Sequence, residues 1–222
     1  MKNSHMEEFL PLWKTSLRNG LTSMKPKKAY ELILSTGTRC KIIENVIASD
    51  ADLSHLYAKN FLKAPFVAGE ESIKKSPFAA YLYCKEIIKQ RWYDAEDVIK
   101  KNPHSAYKYS LEIIRGRWKE AEKYILKSSM WSGAYAGEVL KGRFKAAEPN
   151  IAKNDSAASD YFSEVIKGNW EGWSAEEISI SPVWMCHYAR FIGHILPEPM
   201  HSRMSGMRAK NEHAATYVKE FC

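Results

Sequence analysis

Apolar and polar residues follow two superimposed periods along this chain. The shorter period is helical. Around Tyr109, a small residue lies three before (Ala106) and an apolar pair lies four and five after (Ile113, Ile114). Offsets of −3, 0, +4 and +5 mark one face of an α-helix. The longer period is 26 residues. The stretches YCKEIIKQRWYDAEDVIK (83–100), YSLEIIRGRWKEAEKYIL (109–126) and YAGEVLKGRFKAAEPNIA (135–152) share one pattern, and YFSEVIKGNWEGWSAEEIS (161–179) continues it with a small insertion. Tyr57, Tyr83, Tyr109, Tyr135, Tyr161 and Tyr188 are spaced by 26, 26, 26, 26 and 27 residues, and Tyr30 is a candidate anchor for a degenerate first repeat. Fixed self-similarity of this length predicts stacked repeats and not a globule around a central active site.

With each tyrosine taken as position 0, the repeat predicts two helices. The first runs from about −4 to +6. Gly116, Gly142 and Gly168 stand at +7, where the pattern predicts a left-handed residue that stops the helix. A large aromatic follows at +9 (Phe66, Trp92, Trp118, Phe144, Trp170). It is read as a wedge between the helices. A short second helix carries Ala95, Ala121 or Ala147 at +12 and Ile73, Ile99, Ile125 or Ile151 at +16. It ends before K-N-P, K-S-S or K-N-D, which hold the N-cap of the next repeat, and Pro77, Pro103 and Pro182 sit at repeat starts.

One such hairpin cannot bury its own apolar face, so neighbours must cover it. The prediction is therefore all-α: an αα-hairpin solenoid of 26-residue tandem repeats with helical caps. Residues 1–24 form an N-terminal capping segment and 25–180 the repeats. Residues 181–222 form a repeat-like helix over 183–195, a break at Pro197-Glu198-Pro199, and a capping helix over about 207–221.

Composition adds bounds. Apolar residues are 45% and charged residues 27%, as in ordinary folded domains. No apolar run reaches the ~18–20 residues that cross a bilayer, and no secretory leader is visible, so a cytoplasmic protein without a membrane partner is expected. Cys40, Cys84, Cys186 and Cys222 form no C-x-x-C pair and read as reduced thiols. The net charge of +7, from 33 Lys+Arg against 26 Asp+Glu, makes a basic protein. It permits a polyanionic partner without demanding one.

The candidate binding residues are basic and lie at the inter-helix turn. Position +6 is Lys89, Arg115, Lys141 and Lys167, and position +8 is Arg91, Arg117 and Arg143, with Asn169 in the next repeat. Stacking would align them as two rows able to follow phosphates or an acidic protein. The same charges also suit structural ladders. Glu86, Glu112, Glu138 and Glu164 at +3 lie one turn before the +6 base, and Glu96, Glu122 and Glu148 at +13 are placed to meet the +8 arginines. Structural ladders are the favoured reading.

Catalytic chemistry finds no support. His187, His194 and His201 recur every seven residues beside Cys186, but Pro197 and Pro199 interrupt the helix that would align them. No H-E-x-x-H, G-x-S-x-G, Gly-rich phosphate loop or dinucleotide fingerprint occurs. The expectation is no enzyme, no metal and no cofactor. Variation beside an invariant core, as at −1 (Leu82, Lys108, Ala134, Asp160) and +2 (Lys85, Leu111, Gly137, Ser163), fits a nonuniform protein partner better than a uniform polymer. Nucleic-acid binding through the basic rows is the alternative.

The K-G-R-W/F-x-x-A-E core with a Y-A-x-x-V-I-K-G-like lead spans Tyr83–Glu96, Tyr109–Glu122 and Tyr135–Glu148, and partly Tyr161–Glu176. It resembles tandem helical repeats in proteins of large tailed bacteriophages. That resemblance covers less than half of the chain and carries over no catalytic residue. It implies an α-helical solenoid made in an infected bacterial cytoplasm, as an accessory or host-interaction factor. The chain departs from the pattern at Tyr57–Glu70, where K-A-P-F replaces K-G-R-W.

Overall fold

The computed structural model describes residues 19–167, 170, 182–193, 195–196 and 200–222. Every regular element among them is helical. The chain divides into two compact bodies, one ending at Ile99 and the other beginning at Lys100. Within each, hairpins of one long and one short helix lie side by side, the packing of a helical-repeat solenoid. In the first body Pro26–Thr36 and Lys41–Ile47 come first, followed by two hairpins whose first helices are Ala51–Leu56 and Pro77–Tyr83 and whose second helices are Val67–Ile73 and Tyr93–Ile99. In the second body the long helices are Pro103–Tyr109, Ser129–Ala134 and Asp155–Tyr161, and the short ones are Lys119–Ile125 and the pair Lys145–Ala147 and Glu148–Ile151.

The caps follow the sequence expectation, although the helices begin at −6 and not at about −4. At −7, Asp50, Ser76, Asn102, Ser128 and Asn154 each accept a bond from the backbone N–H three residues on, at 2.9, 3.3, 2.9, 3.5 and 2.9 Å. This satisfies one of the donors left over at a helix N-terminus. The ends differ from it. Each long helix continues past its tyrosine as a π-turn: Tyr57–Leu62, Cys84–Ile88, Ser110–Ile114, Tyr135–Leu140 and Phe162–Ile166. The i→i−5 bond is explicit from Lys89 N–H to the Cys84 carbonyl, at 2.7 Å, and from Lys167 N–H to Phe162, at 2.9 Å.

The left-handed residue is then the one at +6. Lys63, Lys89, Arg115, Lys141 and Lys167 have φ of 53°, 57°, 58°, 51° and 50°. Gly116 and Gly142, expected to fill that role, have ordinary φ. Gly168 lies outside the described residues. The glycines instead donate beyond the turn, from Gly116 to the Ser110 carbonyl and from Gly142 to Ala136, both at 3.1 Å. The stop is real but sits one residue earlier, on a side chain with a Cβ.

The core is the repeat read sideways. Tyr57, Tyr83, Tyr109, Tyr135 and Tyr161 are buried, as are the alanines at +12 and the isoleucines at +16. Trp118, Phe66 and Phe144 at +9 are buried too, and each packs its ring 4.9–5.7 Å from its repeat's tyrosine. The +4 and +5 pairs, expected in the core, are only half-buried.

Both ends depart from the consensus. Tyr30 is no anchor: its hydroxyl accepts from Asn60 Nδ2 at 3.0 Å near the surface, while Ala29 and Ile33 are buried in its place. At the C-terminus, Pro182–Ile192 is followed by Met200–Met207 and then Glu212–Phe221, so three helices stand where two were expected. The final helix is capped by Asn211. Residues 1–18 of the N-terminal segment, Pro197-Glu198-Pro199 and most of 168–181 lie outside the described residues. Among the described residues no helix is long and apolar enough to cross a membrane.

Candidate interaction surface

The turn edge of each hairpin is built around one recurring knot. A tyrosine hydroxyl enters from the next repeat and meets the backbone N–H of the +9 aromatic. Phe66 donates to Tyr83 Oη at 2.7 Å, Trp118 to Tyr135 at 2.8 Å, and Phe144 to Tyr161 at 2.9 Å. The same hydroxyl donates to the +13 glutamate: Tyr83 to Glu70 at 3.1 Å, Tyr135 to Glu122 at 3.4 Å, and Tyr161 to Glu148 at 2.8 Å. Tyr57 donates to Glu44 in the same way, at 2.6 Å. The +8 arginine completes the knot with a two-pronged pair to that glutamate. Arg91 reaches Glu96 at 2.8 and 2.9 Å, Arg117 reaches Glu122 at 2.6 and 3.0 Å, and Arg143 reaches Glu148 at 2.8 and 2.8 Å.

Two orphan donors and a half-buried carboxylate thus satisfy one another at each junction. Burial pushes the Tyr135 hydroxyl up to about 12, and pushes Tyr83 and Tyr161 up as well. A hydrogen bond from Arg39 holds the Glu44 carboxyl below the usual range against its burial.

The seven basic residues singled out from the sequence therefore fall into two groups. Arg91, Arg117 and Arg143 are committed to glutamates of their own repeats. A phosphate or acidic partner would have to compete with a bidentate carboxylate for each of them. Lys89, Arg115, Lys141 and Lys167 are exposed at the left-handed position. Lys89, Lys141 and Lys167 make no ion pair with the glutamate at +3, so that part of the expected ladder is absent. Glu86 instead takes His55 Nε2 at 2.6 Å and Lys59 Nζ at 2.8 Å. Burial works against its charge, yet the bonds from Lys59 and His55 leave its carboxyl below the usual range. Glu138 accepts from the Tyr107 hydroxyl at 2.6 Å.

Those two bonds expose a second surface that the turn-centred reading missed. His55 and Tyr107 both stand at −2, and each reaches the +3 glutamate of the next repeat. Each pair is 31 residues apart in sequence. The long helix presents −5, −1 and +2 on this face, one turn or two apart, with His55, Tyr81, Tyr107 and Gly133 at −2 buried among them. These positions vary in chemistry while +3 is a glutamate from Glu86 to Glu164, with Asn60 in the repeat before. In the first body −5 reads Asp52 and Phe78, and −2 reads His55 and Tyr81. In the second, −5 reads His104, Met130 and Ser156, and −2 reads Tyr107, Gly133 and Ser159. Phe78 and Met130 expose 47% and 59% of their surface, and the Phe78 ring lies 6.3 Å from that of Tyr81. Cation–ring contacts lie on the same face, with Lys108 over Tyr107 at 4.9 Å and Lys85 over Tyr81 at 6.0 Å. The sequence signal was available in the variation at −1 and +2.

No cluster of three or more histidine, cysteine, aspartate or glutamate side chains fit to hold a metal occurs among the described residues. His201 bonds to the Tyr217 hydroxyl through Nδ1 at 2.8 Å, and that hydroxyl also accepts from Leu196 N–H at 3.1 Å. The side chain of His187 and the whole of His194 lie outside the described residues. Cys40, Cys84, Cys186 and Cys222 are all free thiols.

Comparison with protein-family models, with curated proteins and with solved structures finds no match. The functional reading rests on the geometry of the chain itself.

Proposed function

We propose that this chain is a non-catalytic helical-repeat module that binds a protein partner through the variable face of its long helices. One observation carries the reading. Variation is concentrated at −5, −1 and +2 of a single helix face and at the buried −2 position beneath it, beside a glutamate that recurs at +3 from Glu86 to Glu164, while the turn edge repeats the same Arg–Glu–Tyr knot. A polymer with a uniform backbone asks for the opposite, namely identical cations at equal intervals. A protein surface asks for a changing mixture of apolar, aromatic and charged contacts, with exposed anchors such as Phe78 and Met130.

The test is affinity capture from nuclease-treated lysate of the source cells with three baits. These are the native chain, a face variant (Phe78→Ser with Met130→Ser) and a turn variant (Lys89, Lys141 and Lys167→Glu). A partner held by the native and turn baits and lost by the face bait supports the reading. A partner lost only by the turn bait overturns it.

The second reading is nucleic-acid binding. What favours it is the exposure of Lys89, Arg115, Lys141 and Lys167 with no carboxylate of their own repeat against the three lysines. With one phosphate neutralised per cation, affinity would fall with salt with a slope of about −3 to −4 on logarithmic axes. A titration against single- and double-stranded RNA and DNA at two salt concentrations separates the two readings. From the resemblance to phage repeats we further propose an infected bacterial cytoplasm as the setting for either activity.

A further inference from the structure

The −2 position is a socket filler. In the Tyr57 repeat its occupant is His55, and the +3 glutamate beyond it, Glu86, also receives the Lys59 ammonium. In the second body Tyr107 fills the same place. It donates to Glu138 and lays its ring 5.7 Å from Trp131. One repeat later the filler is Gly133. No side chain leaves position −2, and the ring opposite is replaced by Ala157. A cleft of about 260 Å³ opens there, lined by Met130, Gly133, Glu138, Ala157, Asp160 and Glu164 among others.

The cleft is a vacated site and not a packing flaw. A Cβ built on Gly133 would meet only the Ala157 carbonyl at 3.7 Å and the Tyr161 Cβ at 4.0 Å, both ordinary contacts, so the backbone leaves room for a side chain to start there. Glu164 stands where Glu86 and Glu138 accept their donors, and it has no such donor here. The volume lies below the range of about 300–1,000 Å³ usual for small-molecule and cofactor pockets. One side chain is the right size.

We propose that this cleft receives an arginine side chain from the protein partner, in the place that Tyr107 and His55 fill in other repeats. The inference rests on the protein-binding reading and names the chemistry of one of its contacts. The chain supplies its own precedent, since Lys59 already puts a cation on the equivalent glutamate. Three acidic residues line the cleft, Glu138, Asp160 and Glu164, and the first of them already accepts from the Tyr107 hydroxyl. A phenol offers them one donor and no charge. A guanidinium offers five donors and offsets the repulsion among the three. Its methylene stem lies against Met130 and Ala157 while the charged head meets the carboxylates.

The experiment uses the full chain and small probes. N-acetyl-arginine amide is titrated into isotope-labelled protein and followed through backbone amide shifts, beside N-acetyl-citrulline amide, its neutral isostere, and N-acetyl-tyrosine amide. Saturable shifts at Gly133, Ala157 and Glu164 are expected for arginine, with citrulline and tyrosine at least about tenfold weaker. Gly133→Tyr should plug the cleft and abolish the response, and Glu164→Gln should weaken it about tenfold. No shift at these residues with arginine overturns the proposal, as does an equal response to citrulline or an unchanged response in Gly133→Tyr. Because that variant extends the chain's own pattern, its melting temperature should hold, which separates plugging from misfolding. A captured partner that binds Gly133→Tyr as well as the native chain removes the cleft contact and leaves the protein-binding reading standing.

Discussion

The two long edges of a hairpin use the same residue types to opposite ends. On the turn edge, arginine, glutamate and tyrosine recur at fixed positions and saturate one another, as in Arg143–Glu148–Tyr161. On the long-helix face, glutamate recurs but its donors change from His55 with Lys59 to Tyr107 and then to nothing at Gly133. Charge density alone would rank the turn edge as the binding site. Partner accounting reverses that order, because a side chain already held in a two-pronged bond must break it before it binds anything else. The comparison teaches that in a repeat protein the informative positions are those where the pattern of internal bonds is left incomplete.

If the turn edge is structural, breaking it should cost the most. Trp118 is buried at 4% exposure and packs 5.2 Å from Tyr109. Trp118→Ala is expected to lower unfolding free energy by about 3–5 kcal/mol in a denaturant titration. A change below about 1 kcal/mol would mean that the ring does not hold the hairpin together, and the contrast between the two edges would weaken.

The next effect removes one atom. Tyr161→Phe takes away the acceptor of the Phe144 N–H and the donor to Glu148, both in buried surroundings. Leaving them unmatched should cost about 1–3 kcal/mol. Tyr30→Phe, whose hydroxyl meets only Asn60 near the surface, should cost far less. Equal losses at the two tyrosines would show that the knot adds nothing beyond burial of the ring.

The same knot sets an alkaline limit. Burial raises the Tyr135 hydroxyl to about 12, against an unfolded value near ~10. A group raised on folding contributes stability fully present below the unfolded value and lost as pH rises through the folded one. Stability should therefore decline from about pH 10 toward pH 12. Tyrosinate absorbance of the junction residues should appear together with loss of helical signal, and not before it.

What the sequence revealed and what it hid have physical causes. The tyrosine ladder, the N-caps in K-N-P, K-S-S and K-N-D and the +12 and +16 core were legible because each recurs at a fixed offset in the repeat. The π-turn was not. Gly116 and Gly142 look like helix stops, yet the turn ends the helix one residue earlier, on Arg115 and Lys141, and nothing in a basic residue announces φ > 0. The arginine–glutamate pairs were foreseen as ladders, but choosing between own and neighbouring repeat needed the turn's geometry. The Gly133 cleft was least visible. It appears only when residues 31 apart are brought side by side and the −2 column is compared across repeats.

Lys141 sharpens the point about the helix stop. A residue with a Cβ held at φ 51° costs roughly 1–2 kcal/mol relative to a conformation it prefers, and glycine escapes most of that cost. Lys141→Gly should raise stability by about 1 kcal/mol, less some loss from the freer unfolded chain. Gly142→Ala should change little, because Gly142 has ordinary φ and a Cβ there would meet only the Leu140 carbonyl at 3.9 Å. The reverse order would return the left-handed role to the glycine.

The smallest expected effect on stability falls on the long-helix face, and it tests the comparison from the other side. Met130 is 59% exposed at −5 and touches the cleft, so its side chain supports little of the fold. Met130→Ser should shift unfolding free energy by no more than about 0.5 kcal/mol while weakening partner capture. A surface residue that matters for binding and not for folding is what separates an interaction face from a structural edge. If Met130→Ser destabilises the chain as much as Tyr161→Phe does, the face belongs to the core of the hairpin. Its variation along the repeats would then record packing, with each long helix fitted to its own neighbour.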